Sequence, residues 1–308
     1  MSSSAGAAPG YAWLADLPGE LAAQRHVMTA LMTFCEATPA VTSLSVGCSL
    51  GRGAADARSD IDAALGVAAG RGRSGAGQVL AVDEAVAAFL PRAGALIDML
   101  RHRVGPDDRF IRRVFAQFGD GTQLDLAVIA EAEVRRGAAA PDFVSLYRVT
   151  GELAAAAPGG AGSDEGGHPA ADVVTGDQIR EWAFLGWCAL IDADKYLRRA
   201  SLWEAHGRLH EARHHIWALW AAEAGALYPW HGLSQVLDHA DRLPPGIEST
   251  VAGLDGDDLR RAACASATVL ADVSAAAARR HRARLPSAMA RYVTEALSRP
   301  EPGGPSRN

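Results

Sequence analysis

The sequence predicts an α/β domain followed by an all-helical one: a mixed β-sheet flanked by helices, then a C-terminal helical bundle. Three observations support this. Short apolar, β-prone runs (41–46, 61–67, 123–129) are confined to the first half of the chain. Residues 151–176, GELAAAAPGGAGSDEGGHPAADVVTG, are rich in Gly, Ala and Pro and have no hydrophobic period, which marks a linker or mobile loop. Beyond them apolar residues recur at helical spacing behind two capping-box signals. The expected organisation is a flexible tail over 1–10, the α/β domain over 11–150, the linker over 151–176, the helical domain over 177–299 and a second tail over 300–308.

In chain order, Glu20 to Glu36 places Leu21, Met28, Leu31, Met32 and Cys35 at helical spacing and reads as an amphipathic helix. Strand 41–46 follows, then a glycine-bearing bend, Gly47 to Gly53, then strand 61–67. Residues 69–77, AGRGRSGAG, read as a surface loop whose two arginines are solvated or reach a ligand. Val79 to Leu90 reads as a helix ended by Pro91, because proline lacks the N–H that the next helical bond needs. Ala95–Val104 and Arg109–Phe118 read as strands. Gly119-Asp120-Gly121-Thr122 is a turn signal, so Arg109–Phe118 and Gln123–Ile129 should form a hairpin. In the second half, Thr175 with Gln178 and Ser201 with Glu204 fit capping boxes. The helices expected are 178–199, 202–226, 232–240, 257–282 and 287–298. Six of the seven tryptophans fall between 182 and 230, where most should serve as core.

Composition narrows the partners. With 49% hydrophobic and 21% charged residues, the 308-residue chain has the material for packed cores. A formal charge of −6 and the lack of a basic stretch disfavour a nucleic-acid substrate. Four scattered cysteines without a C-x-x-C pair read as reduced thiols. Residues 1–10 lack the pattern of a signal peptide, and no uncharged apolar run reaches membrane-spanning length. The expectation is a soluble, cytoplasmic protein with no membrane partner.

The chemistry concentrates in Val46 to Asp62. Strand side chains alternate faces, so Asp60 and Asp62 project to one side, roughly 6.5–7 Å apart along the chain. Carboxylates so placed repel each other unless a cation sits between them. Mg²⁺ suits the gap, because it takes one or two carboxylates and leaves its other positions to water and phosphate. The bend upstream offers backbone N–H groups around Gly47 and the Ser49 hydroxyl to phosphate oxygens. An acidic pair or a serine at a turn is also ordinary loop chemistry, and Arg52 either faces a triphosphate or covers the loop.

The arrangement Ser49-x-x-Arg52-Gly53 followed by Ser59-Asp60-Ile61-Asp62 resembles the polymerase-β-like nucleotidyltransferase superfamily, and within it the aminoglycoside and lincosamide nucleotidyltransferases. The chain departs from the pattern in placing Cys48, not glycine, directly before the serine. The resemblance spans roughly residues 40–130. It implies a third carboxylate from a later strand, for which Asp125 in QLDLAVI is the candidate; an acid in an apolar strand is costly unless matched. It also implies two Mg²⁺ ions at Asp60, Asp62 and Asp125, ATP or another nucleoside triphosphate as co-substrate, and a small hydroxylated acceptor such as an aminoglycoside. Finally, it implies a triphosphate-neutralising lysine from the helical domain. Lys195 fits that role, or it forms an i,i+3 pair with Asp192. The base that accepts the acceptor's proton would be Asp125 or a carboxylate of the helical domain, for which Glu181, Asp192 and Asp194 are candidates. His210-Glu211-Ala212-Arg213-His214 matches the zinc pattern H-E-x-x-H, but a polar helix face explains it as well.

Overall fold

The computed structural model describes residues 9–68, 75–104, 111–136, 143–149, 174–226, 229–239 and 242–299. Residues 69–74 of the expected loop 69–77, most of the expected linker, and the tails up to residue 8 and from residue 300 lie outside these; residues 75–77 of that loop instead open a helix, Gly75–Ala93. The chain divides into two compact units, separating between Ser163 and Asp164.

The first unit opens with α1 (Pro9–Ala15) and α2 (Ala22–Ala37). Then come β1 (Val41–Val46), the single-turn α3 (Cys48–Gly51) and β2 (Ile61–Val67). The long α4 (Gly75–Ala93), β3 (Leu96–Val104), β4 (Ile111–Phe118) and β5 (Gln123–Ala130) follow. A short α5 (Glu131–Arg136) and β6 (Val144–Arg148) complete it. Among the described residues the strands form one sheet in the order β3-β4-β5-β2-β1-β6. The sheet is mixed: β2 and β5 run parallel at its centre, and every other neighbouring pair is antiparallel.

One face of the sheet is core. Ile61, Ala63 and Leu65 of β2 alternate with half-buried Asp62 and Ala64, and Leu124, Leu126 and Val128 of β5 alternate with Asp125 and Ala127. The buried set packs with Val27, Leu31 and Met32 of α2 and Val79, Val82, Val86 and Leu90 of α4 in a single cluster. This period-two alternation is what turns the acids away from the core.

The strands lie where periodicity puts them, and the β4–β5 hairpin forms, its turn closed by Phe118 N–H donating to the Thr122 carbonyl at 2.9 Å. Three local expectations fail. Pro9 and Gly10 belong to α1, not to a tail; Gly10 backs onto β6 so closely that a Cβ there would sit 2.0 Å from the Leu146 carbonyl oxygen. Pro91 does not end α4, which runs on to Ala93, because fully buried Leu90 and Ala93 hold the last turn against the sheet. Helix α5 and strand β6 were not foreseen: each is too short to show a period.

The second unit is helical: α6 (Gly176–Arg198), α7 (Leu202–Ala224), α8 (Leu233–His239), α9 (Gly256–His281) and α10 (Ser287–Ser298). Thr175 closes a full capping box with Gln178 at the start of α6, so Thr175 and Gly176 belong to this unit and not to the linker. Ser201 caps α7 by position alone; its side chain makes no cap bond. Trp187 and Trp220 are core, Trp182, Trp217 and Trp230 are half-buried, and Trp203 is 74% exposed. No helix among the described residues is long and apolar enough to cross a membrane.

Candidate active site

The site is built on the central parallel pair. Asp62 and Asp125 are direct register partners across β2 and β5. Both lie on the face turned away from α2 and α4. Asp60 precedes β2 by one residue, with the same parity as Asp62. Burial pushes the Asp62 carboxyl above the usual aspartate range. The neighbouring Asp60 carboxylate adds to that rise and Asp125 adds less, while a hydrogen bond from the Cys48 thiol and the Arg113 charge oppose it. Asp60 and Asp125 are therefore each within electrostatic reach of Asp62, whose rise comes first from burial and then from these neighbours.

Two devices position the acids. The loop before β2 is tied to α2 by buried Gln24, whose side-chain amide donates to the Ser59 carbonyl at 3.0 Å and to that of Ala57 at 3.3 Å. Ser59 closes the loop on itself through Asp56. On the other side Arg113 of β4 forks onto Asp125, with Nε 2.6 Å from Oδ1 and a terminal nitrogen on Oδ2. The Arg113 guanidinium lies 5.0 Å from the centroid of the Phe115 ring. Phe115 is the β4 register partner of Asp125 and tilts against His102 of β3. The sequence gives no local sign of Arg113: only the antiparallel register brings it to Asp125.

The bend is a capped single turn. Gly47 is extended, and its N–H donates to the Asp62 carbonyl at 2.9 Å, fixing the bend to the acidic strand. A Cβ on Gly47 would lie 2.6 Å from the Phe143 ring, so this position is closed to larger residues unless that ring moves. Cys48 takes the left-handed backbone, φ 53°, which disfavours any residue with a Cβ. The amides of Gly51, Arg52, Gly53 and Ala54 are spent on carbonyls within the turn. The bend therefore offers a phosphate at most the amides of Cys48, Ser49 and Leu50, with the half-buried Ser49 hydroxyl. Arg52 is exposed beside it.

The other sequence candidates lie in the second unit. Lys195 is buried and ion-paired with Asp192 at 3.0 Å, and Arg208 stands 3.7 Å from the same acid. Asp194 is held by Arg198 at 2.7 Å and Arg260 at 3.3 Å. Glu181 is half-buried on α6. His210, Glu211 and His214 are exposed on α7, and Glu211 accepts from Arg208 at 2.6 Å.

Carboxylate oxygens are the right donors for Mg²⁺, and Asp60 with Asp62 fits a cation that would relieve their repulsion. The expected three-acid centre is not assembled. Among the described residues no group of three or more His, Cys, Asp or Glu side chains is gathered to hold a metal. For Asp125 the reason is visible: both of its oxygens are taken by Arg113.

No protein-family model matches the chain, and no curated protein matches it. Among solved structures, an aminoglycoside 6-adenyltransferase from Bacillus subtilis is similar at 13% identity with a TM-score of 0.33, over 89% of this chain and 98% of that one. A likeness at that level bears on neither the fold nor the activity of this chain.

Proposed function

We propose that this chain is a nucleotidyltransferase, moving a nucleoside monophosphate, AMP from ATP, onto a hydroxyl of a small acceptor such as an aminoglycoside. One observation carries the reading: Asp62 and Asp125 stand side by side on parallel strands, with Asp60 in electrostatic reach, and Gly47 N–H ties the serine-bearing bend to the same strand. The motif resemblance of residues 47–62 agrees with it.

Asp60 and Asp62 would hold a divalent cation, which when bound supplies neutralisation of phosphate charge. The remaining work falls to side chains of this unit. Ser49 donates its hydroxyl to a phosphate oxygen and Arg52 covers the anionic tail. Asp62 favours the proton more than an ordinary aspartate does, which suits it to draw the acceptor's hydroxyl proton when it is not itself a ligand. Lys195 already has its charge matched by Asp192, so the triphosphate is assigned to the bend. The acidic surroundings favour a cationic acceptor.

Incubation with labelled ATP, Mg²⁺ and an aminoglycoside panel tests this. Pyrophosphate release that requires a hydroxylated acceptor supports it. Tight ATP binding with no turnover on any acceptor would instead identify a nucleotide sensor, and transfer to protein or RNA alone would change the acceptor class.

A further inference from the structure

Arg113 has an unusual position for a residue beside a cation site. It gives Asp125 a two-pronged contact that engages both carboxylate oxygens. Its flank rests on the Phe115 ring. Its charge also reaches Asp62, the register partner of Asp125. Yet its side chain is 41% exposed, against 14% for Asp125, so no packing locks it on all sides. A divalent ion on Asp125 would have to displace a bidentate guanidinium and stand against its full positive charge.

We infer that Arg113 is an internal counter-cation that latches Asp125, so that Asp125 joins a divalent ion only when Arg113 leaves. This rests on the proposed reading of Asp60 and Asp62 as the cation pair. With the latch closed, cation affinity is set by Asp60 and Asp62 alone. A bound triphosphate is the natural key: its oxygens accept the same two-pronged contact from arginine as a carboxylate does, so the guanidinium can exchange one anion for the other. Arg113 is thus a positioning residue, and its effect is on the availability of Asp125.

The test is Mn²⁺ binding to the full chain without nucleotide, followed by loss of the free-ion electron paramagnetic resonance signal. Arg113→Met keeps a stem over Phe115 and removes the charge; it should bind Mn²⁺ about tenfold more tightly than the parent, since a like charge at contact range is removed. Asp125→Asn, which leaves the Arg113 charge unmatched beside Asp62, should bind no more tightly than the parent, and it should abolish the gain when combined with Arg113→Met. Arg113→Lys, which keeps the charge but not the fork, should fall between, and it serves as the test if Arg113→Met loses its cooperative melt. Equal affinity of folded Arg113→Met and parent overturns the latch while leaving the metal pair intact. So does a gain that survives in the Arg113→Met, Asp125→Asn double variant. If parent and Arg113→Met both fail to bind Mn²⁺, the cation pair itself is wrong, and the latch falls with it.

Discussion

The two faces of the central sheet hold acid–arginine clusters of unlike burial. On the helix-covered side, Asp83 of α4 is fully buried and is met by two arginines, Arg101 of β3 at 2.7 Å and Arg112 of β4 at 3.0 Å. On the other side Arg113, the next residue along β4, pairs with Asp125, and its charge reaches Asp62, which Asp60 also neighbours. Consecutive strand residues point to opposite faces, so Arg112 and Arg113 serve different clusters though adjacent in sequence. Asp83 has more cation than it needs and joins α4 to the sheet. Asp62 and Asp125 are only half-buried and Arg113 is 41% exposed, so this group stays open to a ligand. Exposure, not the presence of acids, separates the structural cluster from the candidate site.

The comparison breaks most visibly through activity. Asp60→Asn should lower nucleotidyl transfer about a thousandfold, about 4 kcal/mol of barrier, while the protein still melts cooperatively; retained turnover in a pyrophosphate-release assay would show that Asp60 has no role in transfer. Asp83→Asn should do the reverse, costing about 3 kcal/mol of stability because it strands two arginines at a buried position. Urea unfolding measures it, and an unchanged midpoint would make the two clusters alike. Cys48→Gly relieves a left-handed backbone but frees the unfolded chain, for a net gain below about 1 kcal/mol. It also removes the thiol hydrogen bond, so the Asp62 carboxyl should titrate still higher by NMR.

The smallest effect is a pH dependence. The Asp62 carboxyl titrates above its unfolded value of 3.8, so the folded state holds this proton more tightly than the unfolded state does. The stability it contributes is complete below pH 3.8 and is lost as pH rises through the folded-state value. At neutral pH the charged form is therefore a liability, and Asp62→Asn should melt higher than the parent there, by a small margin because water screens a half-exposed group. That advantage should vanish on acidification below pH 3.8; a constant difference across pH would show that the fold does not hold the Asp62 proton more tightly than the unfolded chain does.

Much of this was legible in the chain. Strands 41–46 and 61–67 are set by alternation and β-branching, and the two carboxylates opening the second are set by the same alternation. The helices of the second unit follow from apolar spacing and, at Thr175, from a capping box that forms as written. Less legible was anything resting on one contact between distant residues. Pro91 stays inside α4 because Leu90 and Ala93 are buried, and Gly10 is helical because it abuts β6. Lys195, with two roles open, is bound to Asp192.

The sequence by itself determined the longer strands and helices and that Asp60 and Asp62 share a side, because periodicity and local sterics are properties of a short window. The tertiary structure alone decided that Asp125 stands opposite Asp62 and that Arg113 holds it. Strand register is fixed by the burial of whole faces, and no short stretch of sequence records which residue of one strand will meet which residue of another.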